Sequence, residues 1–130
     1  MQNATKTREA KRKKIAVKFV KAFDDNDADA ALTYMAKKPV WEFAVGKNPY
    51  GGKYVGASAI HKAMTDTFNA NPKISYKTLR AYASGNTVIH EIEVKCRATK
   101  MNLHALDIFT FNAADQITSK RTYRKIVTKA

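Results

Sequence analysis

The second half of the chain is a series of strand-like segments separated by short turns, and this pattern restricts the fold more than any other feature. The segments are ISYKTLRAYA, VIHEIEVKCRA, NLHALDIFTF and QITSKRTYRKIV. VIHEIEVKCRA alternates apolar with polar side chains, as a strand with one buried face does. Short turns such as SGN and NAAD connect the segments, which favours antiparallel pairing between neighbours in sequence. We therefore predict a meander of about four strands.

The first half of the chain predicts helices that can cover the apolar face of this meander. Between about Thr5 and Phe23, apolar side chains recur at helical spacing with lysines on the opposite side. The acidic bend DDNDAD follows, where Asn26 or Asp27 can cap a short second helix through ADAALTYMA that Pro39 closes. These patterns predict one long amphipathic helix and one short helix.

A strand, a turn-rich loop and a third helix complete the first half. VWEFAV alternates well enough for a strand and leads into GKNPYGGKYVG. Ser58 is then placed to cap a third helix that ends near Asn71 and Pro72. The apolar stripe of this helix consists of Ile60, Met64 and Phe68.

The length and composition agree with a single α+β domain. The chain has 130 residues, of which 45% are apolar, enough for one core but not for two. Helices grouped before a mainly antiparallel sheet make an α+β domain. If that sheet is strongly curved, it forms a cone that encloses a pocket beneath the long helix.

The net charge of +13 is spread along the chain, with a local excess at the N-terminus. Residues 1–14 hold six basic side chains and one acid, and we treat them as a basic extension that continues into the first helix, ahead of one domain at residues 15–130. Such a segment can contact an acidic partner. The alternative is a solvated start of the helix, which the lack of interleaved aromatic side chains favours.

The sequence argues against an extracellular or membrane protein. A single cysteine, Cys96, leaves no intramolecular disulfide. The apolar run IAVKFVKAF is interrupted at Lys18 and Lys21, so it fits neither a signal peptide nor a membrane span. We expect a soluble cytoplasmic protein, and the run KRKK is also compatible with a nuclear signal.

Two motifs that suggest a metal or a cofactor fail on inspection. A calcium loop beginning at Asp25 would need glycine and glutamate where Ala30 and Ala36 stand. The glycines around residues 46–52 are not followed by the Lys-Ser or Lys-Thr of a phosphate loop. The histidines and the cysteine show no spacing typical of zinc ligands. We predict no metal and no cofactor.

Four stretches carry a resemblance to a known family: IAVKFVKAFDDNDADAALTYMA, VGKNP with GASAIHKAM, LRAYASGNTVIHEIEV and LDIFTFNAADQITSKR. In order and spacing they resemble the nuclear transport factor 2-like (NTF2-like) superfamily over roughly residues 12–126, in particular its ketosteroid isomerase and SnoaL-like polyketide cyclase branches. The resemblance implies a cystatin-like cone with a hydrophobic pocket. It also implies a small apolar or carbonyl-bearing ligand and a homodimer.

The resemblance also places candidate functional positions. In the steroid isomerases, a tyrosine of the first helix and a strand acid form an oxyanion hole, and an aspartate of the first strand shuttles the proton. By resemblance the strand acid falls on Asp107, the tyrosine on Phe19 and the shuttling aspartate on Phe43. Because two of the three polar groups are apolar here, the resemblance does not extend to authentic steroid isomerisation.

A histidine on the neighbouring strand offers Asp107 a different partner. Alternation in VIHEIEVKCRA places His90 on the apolar face that also holds Asp107. A His–Asp pair within hydrogen-bond reach suits proton abstraction, dehydration or aldol-type cyclisation near neutral pH. The alternative is a core histidine that bonds a neighbouring polar group. We name Asp107 and His90 as the candidate catalytic residues.

Ten side chains are candidates for the pocket wall, although aromatic and methionine residues at such spacing are also typical of a core. They are Phe19, Tyr34, Trp41, Phe43, Tyr54, Met64, Val94, Phe109, Thr122 and Arg124. Lys120 shares a strand face with Thr122 and Arg124. If these cations point inward, they favour an anionic or carbonyl-rich ligand; otherwise they are exposed cations at a strand end.

Three classes of function are compatible with these features. The first is a cofactor-independent isomerase, dehydratase or cyclase that uses Asp107 and His90. The second is a non-catalytic ligand-binding module. The third is a dimeric interaction domain that recruits an acidic partner through residues 1–14 and pairs through the outer sheet face. The apolar side chains of that outer face are Ile89, Leu106, Ile108 and Tyr123.

Overall fold

The computed structural model describes residues 2–128, which form three helices and one sheet of six strands. The helices are α1 (Gln2–Asp24), α2 (Ala28–Leu32) and α3 (Ala57–Ala70). The strands are β1 (Met35–Glu42), β2 (Lys53–Val55), β3 (Ser75–Ser84), β4 (Thr87–Cys96), β5 (Met101–Phe111) and β6 (Ile117–Arg124). The α+β prediction is confirmed, and so is the meander of four strands.

The sheet is mixed, with the strand order β2-β1-β6-β5-β4-β3. Strand β1 runs parallel to β6, and the other four pairings are antiparallel. The parallel pair places the first strand of the chain beside the last one. Strands β1 and β2 therefore extend the meander on its β6 side. Helices α1 and α3 cover the apolar face, on which the core residues of the sheet lie.

The sheet is not strongly curled, so the prediction of a strongly curved cone is wrong. The central pair β4 and β5 explains the difference, because its antiparallel register runs from Thr87–Thr110 to Cys96–Met101 without a shift. Bulges are the devices that bend a sheet sharply. The register shifts lie in neighbouring pairs, between Thr78 and Arg80 and between Thr110 and Phe111.

The second helix is shorter than predicted, because β1 begins where the helix was expected to continue. Asp27 is the N-cap and accepts a hydrogen bond from the Ala30 amide at 3.0 Å, as the sequence suggested. The helix ends at Leu32, and β1 then runs through Pro39 instead of starting after it. Proline has no amide hydrogen to donate to a strand ladder. Pro39 is tolerated in β1 because the β1–β6 register shifts between Met35 and Val40, where regular hydrogen bonding is interrupted.

Two further details of the first half differ from the prediction. The N-cap of α3 is Gly56, which has a φ of 92° and no side chain, so Ser58 lies within the first turn and is not the cap. The turn-rich loop also contains β2, a three-residue strand that pairs with β1 through Trp41 and Tyr54. So short a strand has too few positions to show alternation.

The core joins α1 to the sheet through aromatic side chains. The ring of Phe19 meets that of Phe109 edge-on at 5.4 Å. The ring of Phe23 makes similar edge contacts with Trp41, Phe68 and Tyr76 at 5.4 to 5.8 Å. Such pairs add about 0.5–1.5 kcal/mol each beyond the area that they bury. They fix α1 across the sheet, which sets the roof of the space below.

The N-terminal half of α1 is attached to the sheet by polar contacts. Asp115, in the turn between β5 and β6, forms ion pairs with Arg8, Lys11 and Arg12 at 3.3, 3.2 and 2.9 Å. The buried Arg12 also donates to the Gly85 carbonyl at 2.7 Å. Part of the basic character of residues 1–14 therefore serves contacts within the chain. No helix within residues 2–128 is long and apolar enough to span a bilayer.

Candidate functional site

A cavity of about 410 Å³ lies between the apolar face of the sheet and the helices α1 and α3. Its wall is largely apolar, and α1 contributes the rings of Phe19 and Phe23 to it while β1 contributes that of Trp41. Strands β4 and β5 contribute smaller apolar side chains, among them Ile92 and Ala105. This volume lies within the range of small-molecule sites in proteins.

Three polar side chains on β5 and β6 form what we call the polar floor of the cavity: Asp107, Lys120 and Thr122. The antiparallel register sets Asp107 opposite Thr122, and Lys120 lies two residues before Thr122 on the same face. The Thr122 hydroxyl donates to Asp107 Oδ1 at 2.6 Å and accepts from Lys120 Nζ at 3.1 Å. Lys120 Nζ lies 3.4 Å from the same Oδ1. A hydroxyl thus links two buried, oppositely charged groups.

The amine of Lys120 lies in an unusually apolar place for a lysine. The residue is only 5% exposed, and its Nζ lies 4.8 Å from the ring centre of Trp41 and 5.0 Å from that of Phe23. Burial lowers the pKa of Lys120, and the charge and hydrogen bonding of Asp107 oppose that shift. The two rings and the carboxylate replace part of the hydration that the ammonium loses.

His90 lies beside Asp107 but outside the cavity wall. The two residues are opposite each other in the β4–β5 register, yet the His90 ring bonds Thr78 instead, with Nε2 at 3.0 Å from its hydroxyl oxygen. The histidine is fully buried. This burial lowers the pKa of His90; Asp107 raises it and Lys120 lowers it further. The predicted hydrogen-bonded pair of His90 and Asp107 is therefore not formed among the described side chains.

A comparison of the sequence with models of known protein families identifies the family of this chain. The family model described as "SnoaL-like domain" matches residues 16–120, which include α3, the cavity strands and the polar floor up to Lys120. The chain belongs to the SnoaL-like domain family. This confirms the resemblance that the sequence suggested. A comparison with curated proteins found no match.

Solved structures show the same NTF2-like fold at low sequence identity. An NTF2-like protein of unknown function from Mesorhizobium loti has a TM-score of 0.77 at 17% identity and covers 92% of this chain and 94% of its own. A putative polyketide cyclase from Sinorhizobium meliloti has a TM-score of 0.72 at 19% identity, covering 84% and 93%. A putative ketosteroid isomerase from Kribbella flavida has a TM-score of 0.76 at 8% identity, covering 94% and 83%. At these identities the likeness establishes the fold alone.

The SnoaL-like domain brings seven of the ten predicted wall residues to the cavity. These are Phe19, Trp41, Phe43, Tyr54, Val94, Thr122 and Arg124. Tyr34, Met64 and Phe109 pack in or against the core and do not line the cavity. Phe109 is fully buried between Phe19 and His90, and Met64 is fully buried on α3. Alternation and helical spacing identify the inward face, but they do not separate a cavity wall from the packed core beside it.

The sequence alone does not decide whether Lys120 faces the cavity, and it gives no sign that several other residues line the wall. Alternation along β6 places Lys120 and Thr122 on the face of Arg124, and all three line the cavity. The signal that could have settled Lys120 is the β5–β6 register, which puts it within reach of Asp107. The wall also includes Asp66 and Thr67 of α3 and the C-cap residue Asn71, whose polar side chains gave no sign of a cavity.

The described residues offer no ready metal site. Nowhere within residues 2–128 do three His, Cys, Asp or Glu side chains gather closely enough to hold a metal ion. The polar floor has one carboxylate, beside an ammonium that would repel a cation. Its chemistry is that of proton donors and acceptors.

Proposed function

We propose that this SnoaL-like domain binds a small, largely apolar molecule with a carbonyl or similar acceptor group, and acts on it by acid/base chemistry. The reaction would be an isomerisation, a dehydration or a cyclisation without a cofactor. The observation that carries this proposal is the buried Asp107 carboxyl, held by Thr122 and Lys120 at the floor of an apolar cavity of about 410 Å³. The polyketide cyclase and ketosteroid isomerase names of structural neighbours support the same class.

The three floor residues have separate roles in this proposal. Asp107 is the group that takes a proton from the ligand or returns one, since it is the carboxyl that faces the cavity from β5. Thr122 fixes the orientation of that carboxyl. Lys120 stabilises negative charge that develops on a ligand oxygen, an effect that is strong where water is excluded.

His90 has an indirect role in the proposal. Because its ring bonds Thr78 and lies outside the cavity wall, it does not reach a ligand. It packs against the strand that carries Asp107 and keeps a neutral ring beside the carboxyl. We therefore propose Asp107 as the catalytic residue and His90 as a positioning residue.

Binding without catalysis is the second candidate function, and one observation favours it. Asp107 Oδ1 is already shared by Thr122 and Lys120, so this oxygen is less available to a ligand. The largely apolar wall would still bind an apolar molecule. Phe19 and Phe43, where steroid isomerases carry polar groups by resemblance, add to that wall.

The proton-transfer role can be tested with nitrobenzisoxazole, an apolar probe that needs no knowledge of the natural substrate. A base removes its ring proton while the N–O bond breaks, and the coloured cyanonitrophenolate forms. We expect the domain to accelerate this reaction, and Asp107→Asn to lower kcat/KM by about 100-fold or more. The absorbance of the product measures the rate.

Asp66→Asn is the matched control for that experiment. Asp66 also lines the cavity, but its carboxylate is paired with Lys62 at 2.7 Å on α3. We expect this variant to keep most of the activity. Equal rates for the wild-type protein and Asp107→Asn would overturn the catalytic proposal, and saturable binding with no reaction would favour the second candidate.

A further inference from the structure

Lys120 has the surroundings of an amine that can react, and the proposed acid/base role does not use that property. Its Nζ is enclosed by a carboxylate, a hydroxyl and two aromatic rings, at the floor of a cavity large enough for an organic molecule. An amine is nucleophilic only when it is neutral. In water a lysine is almost fully protonated at neutral pH, whereas an apolar enclosure disfavours the charged form.

The contacts of Lys120 provide a route by which its proton can leave. Nζ donates to the Thr122 hydroxyl at 3.1 Å, and that hydroxyl donates to Asp107 Oδ1 at 2.6 Å. A concerted shift along these two hydrogen bonds turns the ammonium and the carboxylate into a neutral amine and a carboxylic acid. Because the shift removes two opposite charges from a poorly hydrated place, it costs less there than in water.

We propose that Lys120 is a nucleophile that condenses with an aldehyde or a ketone in the cavity to form an imine. This inference rests on the proposed binding of a carbonyl-bearing molecule and names the class of that molecule. The geometry that supports it is the position of an amine, its proton acceptor and a relay hydroxyl along one short path at the cavity floor.

The condensation balances without any further reactant. The Lys120 nitrogen adds its electron pair to the carbonyl carbon, and the π electrons of the carbonyl move to oxygen, which receives a proton from the acid form of Asp107. The nitrogen then returns a proton through Thr122 to Asp107. The acid form of Asp107 then protonates the hydroxyl, the nitrogen electron pair forms the C=N bond of an iminium, and water leaves as the C–O bond breaks. The iminium withdraws electrons from the neighbouring C–H bond, whose proton the Asp107 carboxylate can then remove.

The imine can be trapped with naphthaldehyde and sodium cyanoborohydride at neutral pH. The hydride adds to the iminium carbon and leaves a stable secondary amine, whose mass gain equals that of the aldehyde less one oxygen atom. With one equivalent of aldehyde, we expect peptide mass spectrometry to find the modification mainly on Lys120. Because a solvated ammonium is a poor nucleophile, surface lysines should react at least about 10-fold more slowly.

Two variants of Lys120 and one matched control make this test decisive. Lys120→Arg keeps a cation beside Asp107, and Lys120→Met keeps the apolar stem; both should abolish the specific adduct. Lys53→Arg, an exposed position on β2, should leave it unchanged. An adduct spread over surface lysines, or one of equal yield in Lys120→Arg, would overturn the inference.

Imine formation by Lys120 and proton transfer by Asp107 can be distinguished by experiment. Nitrobenzisoxazole has no carbonyl group and cannot form an imine, so it tests Asp107 independently of Lys120 chemistry. If Asp107-dependent turnover is present but the Lys120 adduct is absent, the acid/base proposal stands and the imine is refuted. If neither probe binds in the cavity, the proposed function itself is wrong. Thermal unfolding of each variant confirms that the comparison is made between folded proteins.

Discussion

The Thr122 hydroxyl makes the shortest hydrogen bond of the polar floor, and removing this hydroxyl should make the folded protein less stable. Thr122→Val keeps the shape of the side chain but leaves Asp107 without its 2.6 Å donor and Lys120 without its 3.1 Å acceptor. Two buried groups would each lose a partner, so we expect the free energy of unfolding to fall by about 1–3 kcal/mol. Urea denaturation measures this value.

The control for that prediction is Thr118→Val on the same strand. The Thr118 hydroxyl donates to the Thr110 carbonyl at 3.1 Å, and neither partner is charged. The loss should be about 0.5–1 kcal/mol, smaller than for Thr122→Val. Equal losses at the two positions would show that the hydrogen bonds of the polar floor have no special weight.

His90 should make the protein less stable as the pH falls below 6.5. Burial lowers the pKa of His90 in the folded chain, although the Asp107 charge acts against it. Below pH 6.5, the unfolded chain therefore binds a proton that the folded chain does not. The free energy of unfolding falls from this pH down to the folded pKa, by up to about 1.4 kcal/mol per pH unit.

Urea unfolding between pH 7 and pH 5 measures that slope, and His90→Gln should flatten it. His61→Gln and His104→Gln are suitable controls, since these two side chains are 41% and 48% exposed whereas His90 is fully buried. The prediction is contradicted if His90→Gln keeps the wild-type slope while either exposed histidine variant removes it.

At the residue level, alternation predicted which side chains of the site are buried, but not their hydrogen-bond partners. It placed Asp107 and His90 on the inner face, where both are buried. It could not predict that His90 hydrogen-bonds Thr78 on β3, because this contact depends on the β3–β4 register. The burial of Lys120 could not be predicted either, because it depends on contacts with other strands. A lysine is buried only where other strands supply a counter-charge and aromatic rings.

At the scale of elements, one acid in the β5–β6 turn pairs with three basic side chains in the N-terminal half of α1. Asp115 has a φ of 59° and accepts from Arg12, whose guanidinium is almost fully buried. Asp115→Asn tolerates the same backbone conformation but removes the charge. Because Arg12 loses its counter-charge and keeps its carbonyl partners, we expect the free energy of unfolding to fall by about 1–3 kcal/mol.

A suitable control for the α1 prediction is Asp25→Asn. Asp25 pairs with Lys21 at 2.9 Å within an exposed stretch of the chain, where such pairs add little. Urea unfolding should show almost no change for this variant. If both variants lose the same stability, the attachment of α1 does not depend on the buried Arg12.

The elements that the sequence predicted are those with a clear local pattern. Strand β4 alternates over ten residues, and β3, β5 and β6 are long segments bounded by short turns. Helix α1 shows helical spacing over several turns. The path of β1 through Pro39 had no local signal, because it depends on parallel pairing with β6 far along the chain. The three residues of β2 likewise take their form from β1.

At the scale of the whole molecule, the outer sheet face leads us to predict a dimer. Tyr82, Ile89, Leu106 and Tyr123 are all more than a third exposed on that face. Neighbouring exposed apolar side chains are typical of an interaction surface. Sedimentation velocity should find a dimer, and Leu106→Glu should shift it towards a monomer by placing a charge within the apolar surface. A wild-type monomer at micromolar concentration would contradict this prediction.

The most direct test of the proposed site is whether the cavity takes up an apolar molecule. Trp41 is the only tryptophan of the chain, lines the cavity and is 2% exposed, so its fluorescence reports on that site. Nitrobenzene quenches tryptophan on contact. In the wild-type protein we predict saturable quenching, whereas Ala105→Phe, which fills the cavity, should leave only weak quenching that rises linearly with concentration. Saturable quenching that survives in Ala105→Phe, or its absence from the wild-type protein, would contradict the cavity as the functional site.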